Sequence, residues 1–184
     1  EMKRWREGDL RITTLRLVTI ALLILLALAT FFSLRTLRRL PNVVVYFVKS
    51  EETSFTLSPA YRRERVDGLE GQLSIAVQRL IDGPTSSEEQ RGLSSAVPTT
   101  TKLLELTLEK NQVTVNLSNE FETGGGMASV QGRLEQLFYT LTQPTDIDKV
   151  NLLLEGESVI VFSGEGIIIE NPWTRKTRET LPRW

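Results

Sequence analysis

The 184 residues are 40% hydrophobic and 24% charged, a balance that suits one globular domain with an appendage. The chain has no cysteine and no histidine, which excludes disulfides, thiolate nucleophiles, cysteine metal sites, a lipidated N-terminal cysteine and the usual neutral-pH general base. Residues 1–41 carry 8 Lys/Arg against 3 Asp/Glu and the remaining residues 14 against 20, and so acidic a remainder argues against a nucleic-acid partner.

The first element is an apolar helix. Leu17 to Leu34, "LVTIALLILLALATFFSL", runs 18 residues without a charge, and at a rise of about 1.5 Å per residue it reaches roughly the hydrocarbon thickness of a bilayer. Lys3, Arg4, Arg6, Arg11 and Arg16 precede it, and Arg35, Arg38 and Arg39 follow. The basic bias places the N-terminal tail in the cytoplasm and the body on the extracytoplasmic side, as a single-pass membrane protein. The other reading is a cleaved signal peptide, with Ala27-Leu28-Ala29 as the small-x-small site.

Pro41 closes the basic collar. "NVVVYFVK", Asn42 to Lys49, is β-branched and aromatic enough for a strand covered on both faces. The polar stretch from Ser50 to Gly68 is expected as a loop with a short edge strand near Tyr61 to Val66, its arginines on a solvated face. From Leu69 the apolar period becomes helical, with Leu73, Val77, Leu80 and Ile81 on one face. Gly83 ends that helix through a positive φ and Pro84 cannot continue it. Thr85 with Glu88, or Ser86 with Glu89, offers a capping box for a short second helix reaching about Gly92.

A period of two follows. Leu104, Leu106 and Leu108 alternate with polar residues, as do Val113, Val115 and Leu117, and Glu109-Lys110-Asn111 joins the two runs as a hairpin with Asn111 suited to φ > 0. "VQGRLEQLFYTLT" returns to helix with Val130, Leu134, Leu137, Phe138 and Leu141 inward, ending at Pro144. "KVNLLLEGESVIVF" reads as a hairpin turning at Glu155-Gly156-Glu157, and "IIIENPW" follows. The order β-α-β-β-α-β-β predicts an α+β fold, two long helices on one face of a mostly antiparallel sheet, preceded by one transmembrane helix. The expected divisions are residues 1–41 (tail, membrane helix and collar), 42–175 (the domain) and 176–184 (a basic C-terminal tail ending in Trp184).

From Val43 to Arg175, the strand "VVVYFV", the corner "LIDGPTSSEEQRGLSSAVPTTTKL", "VTVNLSNEF", the glycine run, "LEQLFYTLTQP", "VNLLLEG" and "NPWTR" resemble, in that order, the GerMN domain of sporulation and spore-germination proteins. Asn116 stands where that family more often has Asp, one domain is present where some members carry two, and a membrane helix replaces the lipobox of others. The resemblance implies a non-enzymatic, membrane-attached, extracytoplasmic module related to domains that build assemblies in the bacterial envelope. Its partners would be the bilayer and an envelope protein or a second copy.

The chemical candidates have simpler structural readings. Asp146 and Asp148 match an acid pair or a metal site but also a helix-to-strand turn. Gly124-Gly125-Gly126 precedes a helix without the Lys-Ser/Thr of a phosphate loop. Ser118 and Ser129 lack a histidine to activate them, leaving only a Ser-Lys pair with Lys102 or Lys110, and the Asn116-Leu117-Ser118 sequon falls inside a predicted strand. Catalytic, cofactor-binding and metal sites are each expected to number none, with no cofactor. Two further readings stay open: a binding module for an envelope polymer or small ligand, lined by Tyr61, Tyr139 and Trp173, and a histidine-free hydrolase.

Overall fold

The computed structural model describes residues 2–37, 42–50, 55–144, 146–162, 166–169 and 171–174. They fall into two compact units, residues 1–40 and 41–184. The first holds one helix, α1 (Met2–Leu37). Its window Arg16–Ser33 has a mean hydropathy of 2.2, long and apolar enough to cross a bilayer. Thr30 Oγ1 donates to the carbonyls of Leu26 and Ala27 at 3.0 and 2.9 Å, and Thr19 Oγ1 to that of Arg16 at 2.8 Å, so the helix satisfies these hydroxyls itself.

The second unit is α+β. Its elements in chain order are β1 (Val43–Ser50), β2 (Phe55–Arg62), α2 (Leu69–Asp82), α3 (Ser86–Glu89), β3 (Leu93–Ser94), β4 (Leu103–Glu109), β5 (Gln112–Leu117), a 3₁₀ turn (Asn119–Glu122), α4 (Met127–Leu141), β6 (Lys149–Leu154), β7 (Glu157–Ser158), β8 (Val161–Phe162), β9 (Ile167–Ile168) and β10 (Trp173–Thr174). One sheet has the order β2-β1-β3. A second runs β10-β6-β5-β4 with β7 on β6, and β8-β9 form a separate ribbon. Among the described residues every pairing is antiparallel except β5–β6, which α4 connects as a crossover between parallel strands.

The loop expected between Ser50 and Gly68 is in large part β2, paired with β1 from Val43↔Arg62 to Ser50↔Phe55. Pro59 disguises it in the sequence and explains its place at an edge. Pro59 lies opposite Tyr46, and because it lacks an N–H that pair belongs to the non-hydrogen-bonded kind. Tyr46 therefore turns its N–H and C=O to the far edge of β1. There Thr140 Oγ1 accepts the N–H at 3.0 Å and Gln136 Nε2 donates to the carbonyl at 3.1 Å. Two buried polar side chains of α4 thus finish a strand edge that the two-residue β3 is too short to cover.

The helical faces match expectation: Leu73, Val77, Leu80 and Ile81 of α2 and Val130, Leu134, Leu137, Phe138 and Leu141 of α4 are all buried. Val113, Val115 and Leu117 of β5 and Val150, Leu152 and Leu154 of β6 supply the facing layer, while their alternate residues are half-buried. Two local expectations change. Leu104 is exposed, because the register shifts between Leu103 and Glu105 and turns it out of the core alternation. The positive φ of the β4–β5 turn is at Lys110 (55°) and not at Asn111; Asn111 instead donates Nδ2 to Asp148 Oδ1 at 2.7 Å and accepts the Asp148 and Lys149 N–H groups on its carbonyl. The hairpin after Leu154 turns at Glu155 and Gly156, both with positive φ, but Val161–Phe162 leave β6 to pair with Ile167–Ile168.

Candidate functional surface

The corner between α2 and α3 is built by three side chains. Gly83 takes φ 85° and ψ −177°, a conformation essentially confined to glycine. Thr85 and Glu88 form the expected capping box, whose firm half is Glu88 Oε2 accepting the Thr85 N–H at 2.7 Å. Arg62, expected on a solvated face, instead reaches from β2 into this corner. It pairs with Glu88 at 2.7 Å and donates to the Gly83 carbonyl at 3.2 Å, with its guanidinium 5.3 Å from the Phe47 ring centroid. Burial opposes ionisation of Glu88, yet the Arg62 and Thr85 hydrogen bonds outweigh it and hold the carboxyl below its ordinary range. On the exposed side Arg79 binds Glu64 at 2.6 Å and Asp82 at 2.9 Å, lowering the Glu64 pKa by direct hydrogen bonding.

The glycine run has a structural partner that sequence reasoning missed. Arg133 of α4 is 2% exposed and forms no ion pair among the described residues. Its Nε, Nη1 and Nη2 donate to the carbonyls of Ala96, Phe121 and Gly124 at 3.1, 2.6 and 2.9 Å. One guanidinium therefore ties the β3–β4 loop and two points of the β5–α4 connection to the first half of α4, and burial lowers its pKa. The signal was present as an arginine in the helix's apolar stripe, which the helical period alone reads as an interruption. Gly126 begins α4, and Gly124 and Gly125 take positive φ.

The remaining candidates do not converge. Ser118 is buried, and its Oγ accepts the backbone N–H of Lys102 at 2.9 Å, so it joins the start of β4 to the end of β5. Lys110 is at the opposite end of the same hairpin. Asp146 and Asp148 are exposed, with Asp148 engaged by Asn111. Ser129 is half-buried beneath Gly125, where an added Cβ would meet its Oγ at 2.6 Å. Asn116 Oδ1 accepts the Gly156 N–H at 2.9 Å and so fixes the β6–β7 turn, a task its carboxylate counterpart could also perform. Of the proposed aromatic lining, Trp173 is 2% exposed and packs on Phe138 at 4.7 Å, Tyr139 stacks on Tyr46 at 5.4 Å, and Tyr61 stands 65% exposed on β2. Trp173 belongs to the buried core, and Asn171 clamps the chain beside it, donating Nδ2 to the Val159 carbonyl and accepting the Leu152 N–H on Oδ1.

What does stand out is apolar surface. Ile160, Val161 and Ile168 are 69%, 55% and 65% exposed, and Val161 pairs directly with Ile168 across the β8–β9 ribbon. The other face of the ribbon is anchored by Phe162, fully buried and edge-on to Phe121 at 5.5 Å. In the second unit the other large apolar side chains comparably exposed among the described residues are Tyr61 and Leu104, each on a different strand. Glu155 and Glu157 sit exposed in the turn leading to the ribbon.

Comparison with known proteins points the same way for the fold. Residues 44–160 match the model of the family described as Germane, sporulation and spore germination. The first GerMN domain of the sporulation protein GerM from Bacillus subtilis superposes with a TM-score of 0.60 at 21% identity, over 73% of this chain and 99% of that one. A putative lipoprotein from Clostridium perfringens gives 0.53 at 25% identity, over 73% and 87%. The tandem GerMN domains of the same GerM give 0.58 at 21% identity over 72% of this chain, which spans only 44% of that longer protein. Comparison with curated proteins gives no match. With more than half its length matched in sequence and the same α+β arrangement in space, the chain belongs to the Germane family of sporulation and spore germination domains.

Proposed function

We propose that this protein is a membrane-anchored, extracytoplasmic interaction module of the bacterial envelope that works by association with another protein and not by turnover. The observation that carries the reading is the Ile160, Val161 and Ile168 cluster, held outward on a ribbon whose reverse face is locked into the core. Concentrated apolar exposure of this kind marks association surfaces. The anchor is α1, whose apolar window and basic flanks fit a spanning helix with its N-terminal end in the cytoplasm. The lipoprotein description of one structural neighbour agrees with attachment to a membrane.

The test uses the full chain in native membranes. A photoreactive residue at position 168 is expected to give a discrete protein adduct that Val161→Asp abolishes, while the same probe at Thr107, on the open face of β4, gives none. Alkaline carbonate should leave the protein in the pellet. Adducts equal at the two positions would sink the association surface, and release of the intact chain by carbonate would sink the anchor.

A further inference from the structure

Where β2 runs out, the alternation of strand faces sets which side chains are free. Ala60 is buried, Arg62 pairs with Glu88 of α3 and Glu64 with Arg79 of α2, so the even-numbered residues turn toward the helices. Tyr61, Arg63 and Arg65 are exposed on the opposite face, with exposed Pro59 preceding them on the same side. The backbone stays extended past Arg62, because Asn42 accepts the Glu64 N–H on Oδ1 at 2.9 Å and donates Nδ2 to the Glu64 carbonyl at 3.0 Å. In extended chain alternate residues stand about 7 Å apart. The result is a straight row, a tyrosine with 65% of its surface in solvent followed by two guanidinium groups. Neither Arg63 nor Arg65 forms an ion pair among the described residues, while the acids nearest in the fold are already taken, Glu64 by Arg79 and Glu88 by Arg62. Asp67, exposed two residues on, offsets one of the two charges at most. Unpaired cations side by side are notable where Asp and Glu outnumber Lys and Arg by 20 to 14 over residues 42–184.

We propose that this row binds a linear acidic polysaccharide, with a sugar ring packed on Tyr61 and carboxylates of the same chain meeting Arg63 and Arg65. The site is separate from the apolar ribbon and from α1, and stands whether or not either of those readings holds. A row this narrow suits a chain-like ligand: three side chains on one edge strand offer far less than the roughly 800 Å² per partner of a standard protein interface. The charges select the acid, since the planar guanidinium fork matches a carboxylate in two parallel hydrogen bonds. The ring selects the sugar, because an exposed aromatic face in line with the charges gives the apolar face of a pyranose a surface that a bare polyanion leaves unused. Nucleic acid, the other chain with both charge and rings, is disfavoured by the acidity of the unit around the row.

The test uses residues 42–174, which carry their own core because every buried hydrophobic residue among those described lies between Val43 and Trp173. This piece also omits the basic segments on either side, which would hold any polyanion by charge alone. The probe is an oligogalacturonate of defined length, titrated by calorimetry at low salt beside a neutral galactose oligomer and a poly-glutamate of equal charge. Saturable binding of the oligogalacturonate is expected, with none of the neutral oligomer and weaker binding of poly-glutamate. Arg63→Gln and Arg65→Gln should each weaken it about threefold, the size of one exposed charge pair, and Tyr61→Ala about tenfold. Lys110→Gln, which removes an exposed charge from the β4–β5 turn, should leave it unchanged. All four positions are exposed, so circular dichroism and melting should match the parent. Absence of binding would overturn the proposal, as would binding that survives loss of Tyr61 or of both arginines. Tighter binding of poly-glutamate would overturn it too, by assigning the row to an acidic protein.

Discussion

Glu88 is almost out of water, with 7% of its side chain exposed, yet it is held ionised by Arg62 and the Thr85 N–H. Arg62 is nearly as enclosed, and its Nε is buried with no acceptor among the described residues. Glu88→Gln would leave that guanidinium without its counter-charge, and breaking a buried pair from one side costs about 3 kcal/mol or more. Equilibrium denaturation at pH 7 should show a loss of that order. Because the folded carboxyl titrates below its ordinary value of 4.5, the stability it contributes is present above that pH and fades as pH falls through the lower, folded value. The gap between wild type and Glu88→Gln should therefore narrow in acid; a gap independent of pH would mean that the charge contributes nothing.

At the scale of elements, β2 is an edge strand eight residues long whose row of outward donors is interrupted by Pro59. A proline at that position blunts pairing with a strand of another molecule. Pro59→Val restores the donor without disturbing the β1–β2 bonds, so self-association measured by light scattering should rise while the denaturation midpoint changes little. A variant that stays monomeric at every concentration would show that the edge is guarded by something else. Pro59 also hides β2 in the sequence. The helical and alternating periods placed α2, α4, β5 and β6 with their buried apolar faces, since each carries a sustained apolar repeat. β2 has no such repeat: its burial is irregular, and its proline reads locally as a loop signal although the strand exists through pairing with β1. Leu104 misleads for the opposite reason, keeping a perfect alternation that a bulge then breaks. The contacts that organise the centre, Arg133 with three carbonyls and Gln136 and Thr140 with Tyr46, join residues far apart in the chain. Arg133 shows locally only as a charge within an apolar stripe, and no local pattern names the partners of any of the three.

For the whole molecule, the buried hydrophobic residues from Val43 to Trp173 form one cluster shared by both main sheets and both long helices. Deleting residues 1–41 should leave the melting temperature of the remainder within about 3 °C of the full chain in detergent, because a shift of that size corresponds to less than about 1 kcal/mol. A larger fall would mean that the first unit supports the second. Tyr46 of β1 lies against Tyr139 and Trp173 of β10 against the adjacent Phe138, so the first and last strands of the second unit flank one turn of α4. A unit whose two chain ends flank the same helical turn can be spliced into a longer polypeptide, or repeated along one, by short connectors that never have to cross its body. Ile160, Val161 and Ile168, at the pole remote from both connections, keep their freedom to meet a partner however many copies are joined.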